Sequence, residues 1–248
     1  MKKILFAAAV LFFAAGTASG EDVAGILAKI KAKEAKKEAE FKDIKVVMDS
    51  KMTAENMEME NTMMIVKKGK KTRTEVSMMG MKTVMINDGK DIWMMNTQQG
   101  KRKVSSETEA GGQSPFGWSD SIQNDGAKVS DTEVNGKKCY AVEGLDKQKN
   151  KGTWYVDKST LSLLKYEGNH NGKVFVLINS DFKKVSGDFE MPYKMDVTND
   201  GKQVMTNLVK SVEFNKGVDD SMFNIDSVKQ EDLGKMDMNM MMKMMKKK

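Results

Sequence analysis

The chain has 248 residues, 40% of them apolar, with 24 methionines and a single cysteine, Cys139, so no intramolecular disulfide can form. Its formal charge of +6 comes from the ends: setting aside two lysines in the first twenty residues, and five lysines and one aspartate in the last fourteen, leaves 34 basic against 34 acidic side chains in residues 21–234. That neutral body lacks the basic surface of a nucleic-acid binder, and no nucleic-acid partner is expected.

Lys2 and Lys3 precede a thirteen-residue apolar run from Ile4 to Gly16, and Ala18-Ser19-Gly20 forms a small-residue cleavage site. The run is shorter than the ~20 residues of a membrane-spanning helix, so residues 1–20 read as a signal peptide cleaved after Gly20. An export signal beginning Met-Lys-Lys on a chain without disulfides fits a bacterial periplasm, where oxidation is available but not obligatory, so a periplasmic location is expected. Asp22 can cap a helix in which Val23, Ile26, Leu27 and Ile30 recur at helical spacing, and helix-forming residues continue to about Glu40.

The period then switches to two. Ile44, Val46, Met48 and Met52 alternate with polar residues, and Met57, Met59, Met63 and Ile65 do so on the next strand. Polar turns at Lys67-Lys68-Gly69-Lys70 and Asn87-Asp88-Gly89-Lys90 continue a meander through Thr72 to Met79 and into Ile92-Trp93-Met94-Met95. From Ser105 to Gly126 alternation gives way to Ser, Glu, Gly and Asn around Phe116 and Trp118, which predicts a lid that docks through these two aromatics. Strand periodicity resumes at Val129 and runs, through turns such as Asn135-Gly136 and Asn199-Asp200-Gly201-Lys202, to Phe214. About ten or eleven antiparallel strands cannot stay flat, which predicts a mainly β fold with a helix (α+β): a curled sheet or half-open barrel spanning residues 21–234 as one domain.

Twelve methionines fall between Met48 and Met95. Methionine is unbranched and polarizable, so a strand face built from it adapts to partners of varied shape. Met48, Met52, Met57, Met59, Met63, Val76 and Met78 fall on the apolar side of their strands and are the expected lining of an apolar cavity. Trp93 is added from the following strands, where apolar residues occupy both faces and leave the register open. The same methionines also suit an ordinary core. Met57-x-Met59 and Met79-x-Met81 resemble thioether sites for Cu(I), although strand alternation produces Met-x-Met by itself. His170, the lone histidine, sits in a hairpin turn, and Cys139 in a strand; no catalytic set can be assembled, and no enzyme, cofactor or metal is expected. Residues 235–248, rich in Met and Lys, read as a flexible tail, with membrane-surface attachment or copper capture as alternatives.

Asp88-Gly89-Lys90-x-x-Trp93, Trp154-Tyr155-Val156-Asp157-x-x-Thr160, Leu164-Lys165, Met191-Pro192-Tyr193 and Val218-Asp219-x-x-Met222-Phe223, in this order behind an amphipathic helix, resemble the periplasmic outer-membrane lipoprotein carrier and sorting proteins (LolA/LolB-like) over most of residues 22–226. The resemblance implies an open β-barrel closed by helices, whose apolar cavity receives the acyl chains of a lipoprotein or lipid. It also implies an arginine that latches the lid; the nearest counterpart is Arg73, followed here by Thr74. A monomeric carrier is expected. A methionine-rich copper-binding protein and an envelope-stress sensor on the same fold are the alternatives.

Overall fold

The computed structural model describes residues 22–54, 57–105, 118–170, 172–187, 189–235 and 237. One helix, α1 (Val23–Glu40), precedes β1 (Asp43–Ala54), β2 (Met57–Lys68), β3 (Lys71–Met78), β4 (Met81–Asn87), β5 (Ile92–Asn96) and β6 (Gly100–Val104). Then follow β7 (Ile122–Val134), β8 (Lys137–Asp146), β9 (Lys151–Asp157), β10 (Leu163–His170), β11 (Lys173–Ser186), β12 (Phe189–Asn199) and β13 (Lys202–Phe214). All thirteen form one antiparallel sheet in the order β6-β5-β4-β3-β2-β1-β13-β12-β11-β10-β9-β8-β7. Two meanders therefore join where the first strand pairs with the last, and the sheet stays open between β6 and β7.

The strand count exceeds the expected ten or eleven for identifiable reasons. β6 reads Gly-Lys-Arg-Lys-Val and has almost no apolar alternation, yet it completes the edge. β7 begins at Ile122, inside the segment expected to be loop, because a register shift between Gln123 and Lys128 breaks its period.

α1 starts as its sequence predicts. The Asp22 side chain accepts a hydrogen bond from the Gly25 N–H at 2.7 Å, and Ile26, Leu27 and Ile30 are buried against Ile122, Tyr140, Val142, Trp154 and Val156. The same stripe continues as Lys33, Glu34 and Lys37, each half-buried. Glu34 accepts from the Ser119 hydroxyl at 2.5 Å, and the Lys33 ammonium donates to the Thr160 carbonyl. Beyond the helix, Phe41 stacks near Phe214 and Phe189, with ring centroids 4.4 and 5.4 Å away, and closes a second cluster with Ile44, Val46, Met48, Ile65 and Met191.

Lys37 carries a testable consequence of this packing. Burial, then the neighbouring Lys33 charge, lowers its pKa to about 8, while its ammonium lies 3.8 Å from the centre of the Phe189 ring, a contact that favours the charged form. The folded chain thus binds this proton less tightly than the unfolded chain. The cost is present in full below about pH 8 and fades as pH rises toward the ordinary lysine value of 10.5. Lys37→Met is expected to stabilise the protein at pH 7 by about 1 kcal/mol, after allowing for solvent screening and the ring contact, with the gain shrinking above pH 8. Urea unfolding of both chains at pH 7 and pH 10 checks this; a gain that grows with pH refutes it.

The opposite face of β2–β5 is covered by the chain after β13. Three short 3-10 turns, Asp220–Phe223, Ile225–Ser227 and Gln230–Leu233, bury Phe223, Ile225, Val228 and Leu233 against Val66, Val84 and Ile86. The buried Asp43 carboxylate starts this path by accepting from the N–H groups of Lys216, Gly217 and Val218 at 2.9, 3.0 and 3.3 Å. Lys68 holds the Val218 carbonyl at 2.8 Å. The apolar stripe of α1 therefore covers the β7–β9 part of one face, and this C-terminal coil covers the β2–β5 part of the other.

Candidate functional site

Side chains directly paired across antiparallel strands point to the same face, so the register tells which residues share α1's side. One unbroken row runs Met59, Met52, Met205, Val197, Leu177, Tyr166, Trp154, Val142, Val129 across nine strands. Its far end, Trp154 and Val142, lies under Ile26, Leu27 and Ile30. Met48, Met52, Met59 and Met63 of β1 and β2 therefore occupy the helix face, on the half of the sheet that the buried apolar stripe of α1 does not reach, while Met64 faces the coil.

A parallel row pairs Val209, Met48, Met63 and Val76, and another continues Val46 and Ile65 into Thr74, Met85 and Met94. Met48, Met52, Met59, Met63, Val76 and Met78 thus all share one face. Met48 is buried and packs with Met63 beside Phe41; Met52, Met59, Val76 and Met78 are half-buried. Met57 opens β2 opposite Ala54, and its side chain lies outside the described residues.

Trp93 is the correction. It belongs to the row Val66, Arg73, Ile86, Trp93, Lys103, one residue out of phase with the methionines, and packs with the coil-side cluster. Ile92 to Met95 is apolar throughout because both of its faces are covered, a circumstance that alternation alone does not reveal. The Lys101 ammonium sits 4.8 Å from the Trp93 ring centre.

Arg73 shares that face. Its guanidinium donates to the Met222 carbonyl at 2.8 Å and to Glu75 at 2.7 Å through Nε, while Lys82 approaches Glu75 from the other side at 3.0 Å. Burial alone would push the Glu75 carboxyl up, but the hydrogen bonds from Lys82 and Arg73 outweigh it and hold the group below its usual range. Arg73 therefore clasps the C-terminal coil on the face opposite the methionines. Of the two lid aromatics, Phe116 lies outside the described residues. Trp118 opens a 3-10 turn, Trp118–Ser121, and packs against the α1 cluster, with the neighbouring Ser119 fully buried on Glu34.

What the sequence reading passed over is a polar row across the methionine face: Met81, Met78, Asn61, Ser50, Asn207, Met195, Asn179. Each of its polar members interrupts the apolar phase of its strand, as in Met48-x-Ser50-x-Met52 and Met59-x-Asn61-x-Met63, and that interruption was the available signal. Ser50 donates to the Asn207 side-chain oxygen. Asn61 and Asn207 point their amide nitrogens at the sulfurs of Met52 and Met195, 3.6 Å away in each case. A buried polar atom left without a partner costs about 1–3 kcal/mol, and this row holds two, the amide oxygens of Asn61 and Asn179.

Other candidates fall away. Cys139 is fully buried, and burial pushes its thiol up, which makes it inert. His170 ends β10, and its side chain lies outside the described residues. Among the described residues no group of three or more His, Cys, Asp or Glu could hold a metal ion, and no helix is long and apolar enough to cross a membrane. A groove of about 430 Å³ opens beside the β3–β4 turn, lined by Met81, Thr97, Gln98, Gln230, Gly234 and Lys235. It joins Met81, the end of the polar row, to the β5–β6 turn and the C-terminal coil.

No protein-family model and no curated protein matches this sequence. Solved structures do match in fold. A DUF1329 family protein from Desulfovibrio piger superposes with a TM-score of 0.62 at 14% identity, covering 84% of this chain and 100% of that one. A domain from Vibrio parahaemolyticus named for outer membrane lipoprotein sorting gives 0.60 at 16% identity, covering 80% and 96%. A LolA superfamily protein from Nitrosomonas europaea gives 0.53 at 15%, covering 79% and 98%. The fold expected from the ordered motifs is thus the one observed: mostly β, with one α-helix among the described residues and a large antiparallel sheet left open, in the manner of the LolA-like lipoprotein-sorting proteins.

Proposed function

We propose that this chain is an exported, non-enzymatic carrier that holds the acyl chains of a lipoprotein or lipid against the methionine rows of its helix face, in the service of lipoprotein sorting to the outer membrane. The observation that carries this reading is the register itself: Met48, Met52, Met59, Met63 and Met78 share one face with α1, beyond the reach of its apolar stripe, in a fold shared with lipoprotein-sorting domains. Half-buried thioethers are the side chains best able to reshape around a mobile alkyl chain. The export signal read from residues 1–20 supports a periplasmic location, and the lysines of 235–248 suit transient contact with anionic head groups. A monomer suffices for this task, and an envelope-stress sensor would use the same surface.

One arrangement favours a second reading. Met59, Met52 and Met205 are direct cross-strand neighbours, which offers three soft sulfur ligands to one Cu(I) ion. Native mass spectrometry of protein purified from its own periplasm separates the two. Co-purified acyl species are expected; stoichiometric copper without lipid would favour the second reading, and a chain free of both would count against each.

A further inference from the structure

We propose that the carried ligand, on the acyl-carrier reading above, bears a hydrogen-bond donor, an amide N–H or a hydroxyl, that beds on the helix face at Asn61. The polar row crosses an apolar face at a single level. Ser50 is 3% exposed and Asn61 9%, so neither is a solvated surface group. Their nitrogens and hydroxyl are occupied: Ser50 by Asn207, the Asn61 nitrogen by the Met52 sulfur, and the Asn179 nitrogen by the Leu163 carbonyl at 2.9 Å.

What is left over has one sign. The Asn61 and Asn179 oxygens are shut from solvent and accept no hydrogen bond. Turning the Asn61 amide over would not help, because a thioether can only accept, so the nitrogen belongs on Met52 and the oxygen remains free. Asn179 lies four strands further along the row, about 19 Å at the usual strand spacing, so the two oxygens are separate acceptors rather than one pocket. Asn61 is the one set among Met52, Met59, Met63 and Met78. A ligand reaches the Asn61 oxygen only as the flexible methionine side chains around it move aside, and it then satisfies that oxygen only by donating. An ester offers acceptors alone, and the carboxylate of a fatty acid, which these apolar surroundings would not solvate, stays in water while its alkyl chain lies on the face.

The test is displacement of a fluorescent fatty acid from the mature chain by ligands of one chain length: N-methyl lauramide, lauryl alcohol and methyl laurate. The donor-bearing ligands are expected to displace the probe at about tenfold lower concentration than the ester. Preference for the amide alone or the alcohol alone identifies the donor. Asn61→Leu, close in volume, is expected to collapse the ratio between donor and ester ligands to near one. Equal displacement by all three on the unaltered chain overturns the proposal, as does a ratio that survives Asn61→Leu; if that variant does not fold, the ranking on the unaltered chain decides. Failure of the fluorescent probe itself to bind removes the acyl-carrier reading, and this proposal with it.

Discussion

Met59→Asp is expected to leave the protein folded and to weaken binding of a fluorescent fatty acid by at least about a hundredfold. Met59 is the variant of choice because it is half-exposed and lies outside the cluster around Phe41, whereas Met63 packs against that cluster and its replacement would threaten the fold. In the free protein an aspartate at 59 can keep water. An alkyl chain laid across Met52, Met59 and Met63 must strip that water from an unpaired charge, at a cost of about 3 kcal/mol, or roughly a hundredfold in Kd. Leu208→Asp is the control. Leu208 is 46% exposed and pairs with Asp49 and Lys194 on the other face, so a charge there should leave affinity unchanged. Undiminished affinity in folded Met59→Asp would take the ligand off this face; equal losses in both variants would point to a general effect of charge.

The shared face of Met48, Met52, Met59, Met63, Val76 and Met78 is legible in the sequence because in β1, the start of β2 and β3 an apolar phase alternates with a polar one. Trp93 escaped for a physical reason. Alternation marks a strand with one wet face, and β4 and β5 have none, since Val84 and Ile86 lie under the coil while Met85 and Met94 are buried on the helix face. The C-terminal coil itself was barely legible: its turns are three or four residues long, too short for any period, and its anchors are backbone carbonyls held by Lys68 and Arg73. Arg73 was found as a candidate latch by its place in the sequence, but what it holds depends on a partner 149 residues away. The polar row was legible in each strand and was overlooked because its meaning lies in four interruptions meeting at one level.

Gly234→Val is expected to lower stability by about 3 kcal/mol and to expose the coil to proteolysis, although Gly234 touches no ligand face. Gly234 has φ +68°, which a β-branched residue rarely adopts, and a Cβ there would collide with the Gly80 carbonyl oxygen. Gly80, at φ +79°, is as constrained from its own side, where a Cβ would meet the Lys235 carbonyl at 2.7 Å. Neither backbone can retreat: Asp237 N–H donates to the Met79 carbonyl at 3.0 Å on one side, and Leu233 is fully buried on the other. Forcing the coil off uncovers Val66, Val84 and Ile86, so the damage should spread through the β2–β5 half of the sheet. Truncation after Gly234 keeps Phe223, Ile225, Val228 and Leu233 in place and gives up the Asp237 contact, so its loss should stay below about 1 kcal/mol, with fatty-acid binding intact. Urea midpoints and trypsin cleavage of the two variants decide. A Gly234→Val chain as stable as the parent would mean that the coil is not part of the cooperative fold. A truncation that abolishes ligand binding while the sheet persists would instead make the tail part of the site and move the domain boundary beyond residue 234.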